Sequence, residues 1–118
     1  MALHITRGKE GEVLALFFLR KKEFEILISN WRHSHYEIDV IATKEGILHF
    51  IEVKTRHGTA FGYPEEAVSR KKFTNLKKGA EFFCRRYPGW KRIQFDILSI
   101  NCFKDKKEEF YFIEDVYM

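Results

Sequence analysis

A chain of 118 residues that is 45% hydrophobic and 16% aromatic has enough large apolar volume to fold around a core of its own, which excludes a disordered polypeptide and a disulfide-dependent miniprotein. Its 21 Lys and Arg against 17 Asp and Glu leave a net charge of +4, an excess compatible with nucleic acid but too small to demonstrate it. No apolar run approaches the roughly 20 residues that span a bilayer, and Met1 to Arg7 has no signal-peptide stretch, so a cytoplasmic protein with no membrane partner is expected.

Cys84 and Cys102 form no Cys-x-x-Cys arrangement and are expected to be reduced and structural. No repeat, low-complexity tract or linker interrupts the chain, so residues 1–118 are read as a single domain. From about Thr6, a plausible cap, to Lys22, the residues Val13, Leu14, Phe17 and Phe18 recur at helical spacing and predict an amphipathic helix, weakened by Gly8 and Gly11 in its first turns. Phe24 to Trp31 reads as a strand, and Asn30 to His35 as polar turn residues. Tyr36 to Thr43 and Ile47 to Thr55 read as two strands joined in a hairpin, where Gly46 can adopt the positive φ that a tight turn needs. Arg56 to Tyr63 reads as a loop that moves without a partner, and Pro64 suits the first turn of a helix. Phe73, Leu76, Ala80, Phe83 and Tyr87 then step at three and four residues, predicting a helix that stops near Pro88-Gly89. Arg92 to Ile100 and Glu109 to Val116 are the last strands, on either side of the charged turn Lys104 to Glu108. The expected class is α/β, order α-β-β-β-α-β-β, a mixed sheet flanked by helices, with a right-handed crossover making a parallel strand pair.

Two apolar segments carry charge. In His49-Phe50-Ile51-Glu52-Val53-Lys54 an acid and a base lie two residues apart, on one face of a strand; on the paired strand Asp39 sits among Ile38, Val40 and Ile41, with Glu37 on its face. Desolvating a lone carboxylate costs several kcal/mol, so such placement suggests pairing or a metal. The alternative is a half-exposed hairpin whose polar face carries Glu37, Asp39, Glu52 and Lys54, but Ile41, Leu48 and Phe50 would then face water too. Phosphodiester cleavage gives the grouping a reason. Asp39, Glu52 and the carbonyl of Val53 could hold Mg²⁺ or Mn²⁺, which prefer oxygen ligands, while Lys54 orients the attacking hydroxide or offsets transition-state charge. Basic clusters at Arg20-Lys21-Lys22, Arg70-Lys71-Lys72, Lys77-Lys78, Arg85-Arg86 and Lys91-Arg92 are each most simply solvated faces, but two or three on one surface would bind phosphate.

Asp39 followed by Glu52-Val53-Lys54 resembles the PD-(D/E)XK nuclease signature, and the element order resembles that superfamily's restriction-endonuclease-like core. Over nearly its whole length the chain is similar to the bacterial YraN-like family, regarded as relatives of archaeal Holliday-junction resolvases. The resemblance is carried by Gly8-Lys9-Glu10-Gly11-Glu12 with Ala15, Asn30-Trp31-Arg32, Glu37-Ile38-Asp39-Val40-Ile41-Ala42, Phe50 to Arg56, Phe61 to Val68 and Phe95-Asp96. Tyr36 departs from the family pattern, which usually has Gly there. The resemblance implies a Mg-dependent endonuclease acting on DNA, and the likeness to resolvases extends this to branched DNA and a homodimer; a non-catalytic nucleic-acid-binding module on the same fold is the alternative.

It further implies Glu12 as an additional metal or water ligand, where an exposed helix acid is the plain alternative. Lys72, with Lys71 and Arg56, is a candidate phosphate contact, against a solvated helix lysine. His33 and His35 could pair on a metal only with further ligands that a two-histidine turn lacks. Trp31, Phe61 and Tyr63 are candidates for base stacking or for the core, and Asp96 receives no chemical role.

Overall fold

The computed structural model describes residues 7–58 and 68–117, with side chains from Glu10 onward. Helix α1 (Arg7–Lys21) precedes strands β1 (Glu25–His33), β2 (Tyr36–Lys44) and β3 (Ile47–His57); helix α2 (Arg70–Arg86) then leads to β4 (Ile93–Cys102) and β5 (Glu109–Ile113). The strands lie side by side in chain order, β1-β2-β3-β4-β5, and only β3 and β4 run parallel. Both follow the expected α/β order, because a helix between β3 and β4 returns the chain to the same end of the sheet. The Thr6 cap, the 59–63 part of the expected loop and Pro64 lie outside the described residues; Arg56 and His57 extend β3 instead.

The β2–β3 hairpin turns through Glu45 and Gly46, with φ of 52° and 79°, between the paired residues Lys44 and Ile47. Two positive φ values in a two-residue loop match the twist of the flanking strands. Helix α2 starts behind Ser69, whose hydroxyl accepts the N–H of Lys72 and satisfies one of the free amides of the first turn.

Two apolar layers hold the helices to opposite faces of the sheet. Phe73, Leu76, Ala80 and Phe83 of α2 meet Ile38, Ile41, Leu48, Phe50 and Ile97, and each fully buried large side chain contributes about 1.5–3 kcal/mol. The hairpin residues Ile41, Leu48 and Phe50 therefore face α2 and not water. On the other face Ala15 and Leu19 of α1 meet Val40, Ala42, Ile51, Leu98 and Ile100.

The buried stripe of α1 differs in part from the expected one: Leu14 and Phe18 pack against this layer, but Val13 and Phe17 do not belong to it. Val13 and Phe17 are 56% and 57% exposed, whereas Gly11, Ala15 and Leu19 face the sheet. The reason is steric: a Cβ on Gly11 would lie 2.0 Å from Thr55 Oγ1, so only the small-residue ridge lets the helix lie this close to β3. A second difference concerns Asn30 to His33, which continue β1; only Ser34 and His35 form the turn, between the paired His33 and Tyr36.

Candidate functional site

Strict strand alternation cannot put both Ile38 and Ile41 on the α2 face, yet both pack in that core while Val40 packs on the α1 side. The sheet is kinked between them. Ser29 pairs with Val40 and Trp31 with Ile38, so Asn30 stands opposite Asp39, and Asn30 has a φ of 55°. Asparagine tolerates this left-handed conformation better than most side chains. The kink re-aims the Asn30 and Asp39 side chains into one cleft.

At the same level the β2–β3 ladder ends, its last described pair being Val40 with Ile51. Asp39 Oδ2 then accepts the Val53 N–H at 2.7 Å, so a side chain takes over where the main chain of β2 has left off. Glu52 continues the Leu48 and Phe50 face and is 7% exposed. Its Oε1 lies 3.0 Å from Lys72 Nζ, in the first turn of α2.

Asp39 and Glu52 line the same small cleft and act on each other's charge, and both carboxyls are held above their ordinary range. Burial raises Asp39 most, against the opposing Val53 N–H and Lys72. Burial and then the Asp39 charge push Glu52 up to about 7, with Lys72 opposing them. Desolvation works against the Lys72 ammonium, but the bond to Glu52 and the charges of Glu52, Asp39 and Glu37 raise it overall.

Two clefts meet at Asp39 and Lys72. The larger, about 270 Å³, is lined by Glu12, Asn30, Asp39, Val53, Lys54 and Lys72 among others. The smaller, about 130 Å³, is lined by His35, Glu37, Asp39, Glu52, Lys72 and Asn75. Glu12 reaches the larger cleft because Gly11 brings α1 onto β3, and its carboxylate accepts a hydrogen bond from the Asn30 side-chain amide. Lys54 is half-buried there and has no ion-pair partner among the described residues.

Asp39, Glu52 and Lys72 thus line one cleft, with Lys72 paired to Glu52, and Glu12, Lys54 and Val53 line the larger cleft beside it. Lys71 is exposed and Arg56 bonds Asn101 and Ser99; neither lines either cleft. His33 and His35 lie against aromatic rings, and no group of three His, Cys, Asp or Glu forms a ready metal cage among the described residues. Trp31 packs edge-on to the core residue Phe83; Phe61 and Tyr63 lie outside the described residues. Asp96 is fully buried, 2.6 Å from His49 Nδ1, and accepts Gln94 Nε2 and the Asp115 N–H at 2.9 Å each, away from both clefts. Asn30 is the residue that sequence reasoning passed over as a turn; its signal was an αL-tolerant residue directly before the apolar Trp31.

A family model described as uncharacterised protein family UPF0102 matches residues 11–100 of the chain. A UPF0102 protein of Chloroherpeton thalassium is 38% identical over 125 aligned positions, which cover 99% of this chain and 97% of the relative. One of Dictyoglomus thermophilum is 46% identical over 101 residues, covering 85% and 86%. One of Persephonella marina is 40% identical over 95 residues, covering 80% and 82%. On the family match and these near-complete alignments, the chain belongs to the uncharacterised protein family UPF0102.

Proposed function

We propose that this chain is a metal-dependent nuclease that hydrolyses phosphodiester bonds in DNA. The observation that carries the reading is the placement of Asp39 and Glu52, two largely buried acids, in one cleft with Lys72, while Asp39 and Lys72 also line the adjoining cleft with Lys54. A surface used only to bind nucleic acid has no use for acids that repel phosphate. The donor set also fits a hard divalent cation: Asp39 and Glu52 line one cleft, burial raises the proton affinity of both, the Asp39 charge adds to it at Glu52, and Lys72 offsets these effects only in part.

Asp39, Glu52 and the carbonyl of Val53 would hold Mg²⁺ or Mn²⁺. When bound, the cation lowers the pKa of a water and offsets charge on the phosphoryl oxygens. The water oxygen bonds to phosphorus, the bond to the leaving oxygen breaks, and that oxygen takes up a proton. Lys54, unpaired among the described residues, offsets the charge that builds on phosphorus or orients the water. The Val53 N–H fixes the Asp39 carboxylate, and Asn30 fixes Glu12 as a further water or metal ligand. Lys72, Lys71 and Arg56 serve as phosphate contacts. The resemblance of Asp39 and Glu52-Val53-Lys54 to the PD-(D/E)XK signature, and through it to archaeal resolvases, extends the proposal to a cytoplasmic, single-domain enzyme for branched DNA that works as a homodimer.

A second reading is a non-catalytic nucleic-acid-binding module. The Lys72–Glu52 ion pair favours it, because a lysine already occupies one acid. Incubating the protein with junction, flap, single-stranded and duplex DNA, with Mg²⁺, with Mn²⁺ and with chelator, decides between them. Metal-dependent cleavage supports the nuclease; salt-sensitive binding with no cleavage under any condition replaces it with the binding module.

A further inference from the structure

Beside the smaller cleft, the β1–β2 turn and the second half of α2 carry a run of aromatic rings that the proposed chemistry does not use. Trp31 stacks on His33 with centroids 6.1 Å apart and planes 13° apart. His33 meets Phe82 at 4.6 Å and 34°, Phe82 meets Tyr36 at 5.5 Å and 32°, and Tyr36 meets His35 at 4.0 Å and 38°. Only the Trp31–His33 pair is stacked; the other three pairs are tilted by 32–38° at each step. His33 and His35 are exposed and Tyr36 and Phe82 half-buried, unlike the core rings Phe50, Phe73 and Phe83. Arg85 lies 5.8 Å over the Phe82 ring, which adds a cation to the array. His35, at the other end, shares the smaller cleft with Asp39, Glu52 and Lys72.

A run of surface rings that includes two exposed histidines, a guanidinium over one ring and an opening onto a lysine-bearing cleft are the parts of a single-strand platform, on which bases stack on the outer rings while phosphates follow the cations. We propose that an unpaired stretch of DNA stacks its bases on the His33–Phe82–Tyr36–His35 array and passes its backbone from Arg85 toward Lys72. This deepens the nuclease reading and rests on it for the choice of DNA, but the surface can be tested without cleavage. Stacking on rings is blind to base identity, so the platform selects unpaired structure and not sequence.

The test measures binding by fluorescence anisotropy in chelator, using a single-stranded oligodeoxynucleotide, an abasic strand of equal length and a blunt duplex. Wild type should favour the base-bearing strand over the abasic strand by about 10-fold. The double variant His33→Ala with His35→Ala should lose most of that preference while binding the abasic strand as wild type does and keeping its Tm. His35→Trp, which enlarges the ring at the cleft, should increase the preference. Equal wild-type binding of base-bearing and abasic strands would overturn the proposal, as would an equal loss of both in the double variant, a preference for duplex, or a preference for an oligoribonucleotide over the DNA strand. Adding Mg²⁺ separates the two readings: base preference without cleavage leaves the platform standing and sinks the nuclease, and cleavage without base preference does the reverse.

Discussion

Asp39 holds the main-chain N–H of Val53 at 2.7 Å, on the strand that also carries Glu52 and Lys54, and so ties the two halves of the site together across the end of the β2–β3 ladder. The same carboxylate is placed both to support the sheet and to hold a cation. These roles separate by substitution. Asp39→Asn keeps an oxygen for the Val53 amide and should leave the urea midpoint nearly unchanged, while abolishing cleavage and leaving DNA binding intact or tighter. Asp39→Ala orphans that part-buried amide and should cost about 1–3 kcal/mol in urea denaturation. Unimpaired cleavage by Asp39→Asn would refute the metal-ligand role.

The two lysines should differ in kind. Lys54→Ala is expected to lower the single-turnover rate by at least about 100-fold with little change in binding, since a contact made mainly in the transition state contributes little to the ground state. Lys72→Ala removes the cation beside Glu52 and should weaken binding, reducing the salt slope by about one. Identical effects of the two changes on rate and binding would contradict this division.

The raised Glu52 carboxyl makes stability depend on pH in a definite direction. Between the ordinary glutamate range and about pH 7 the folded state keeps a proton that the unfolded state has released, so stability should fall as pH rises through that window. The fall should be on the order of 1–3 kcal/mol between pH 5 and pH 8, read from urea midpoints. Glu52→Gln should flatten the profile, and Mg²⁺ should restore stability at pH 8 more than at pH 5, because the deprotonated pair binds it. A midpoint that climbs from pH 5 to pH 8 in metal-free buffer would show that the burial and Asp39 effects on Glu52 are not what the geometry indicates.

Gly11 tests how Glu12 reaches the site. With its Cβ 2.0 Å from Thr55 Oγ1 and 3.1 Å from Thr55 Cβ, Gly11→Ala must push α1 off β3. The expected cost is about 1–3 kcal/mol, even though Ala is the better helix former by about 1 kcal/mol. Gly11→Ala combined with Thr55→Gly, which removes both clashing atoms, should recover much of the loss. A stabilised Gly11→Ala protein would mean that the helix does not approach the sheet this closely.

Asp96 should prove structural. It is a fully buried acid serving His49, Gln94 and the amide of Asp115, so Asp96→Ala removes one partner of a buried network and should cost about 3–5 kcal/mol. Where the variant remains folded, at low temperature, its cleavage rate per folded molecule should match wild type. Full stability with lost cleavage would instead assign Asp96 a part in the chemistry.

Local chemistry made much of this protein legible in one dimension. The apolar period of Phe73, Leu76, Ala80 and Phe83, the Glu-Gly turn at 45–46 and the charges inside two apolar strands each depend on neighbours a few residues away, and the sequence alone was enough to locate both helices, the five strands and the acids at 39 and 52. Other features depend on which surfaces meet. The sequence pattern of α1 favoured Val13, Leu14, Phe17 and Phe18 as its apolar stripe; Leu14 and Phe18 do pack on the core, but the stripe centres on Gly11, Ala15 and Leu19, because at Gly11 the helix comes too close to Thr55 for any side chain. Asn30 looked like a turn residue until its left-handed backbone was seen opposite Asp39, turning both side chains into one cleft. Lys72 was a candidate in the sequence, but its partner was not: only the docking of α2 on the sheet set its ammonium against Glu52, twenty residues away, because side-chain proximity over that separation is decided by tertiary packing and not by any local period.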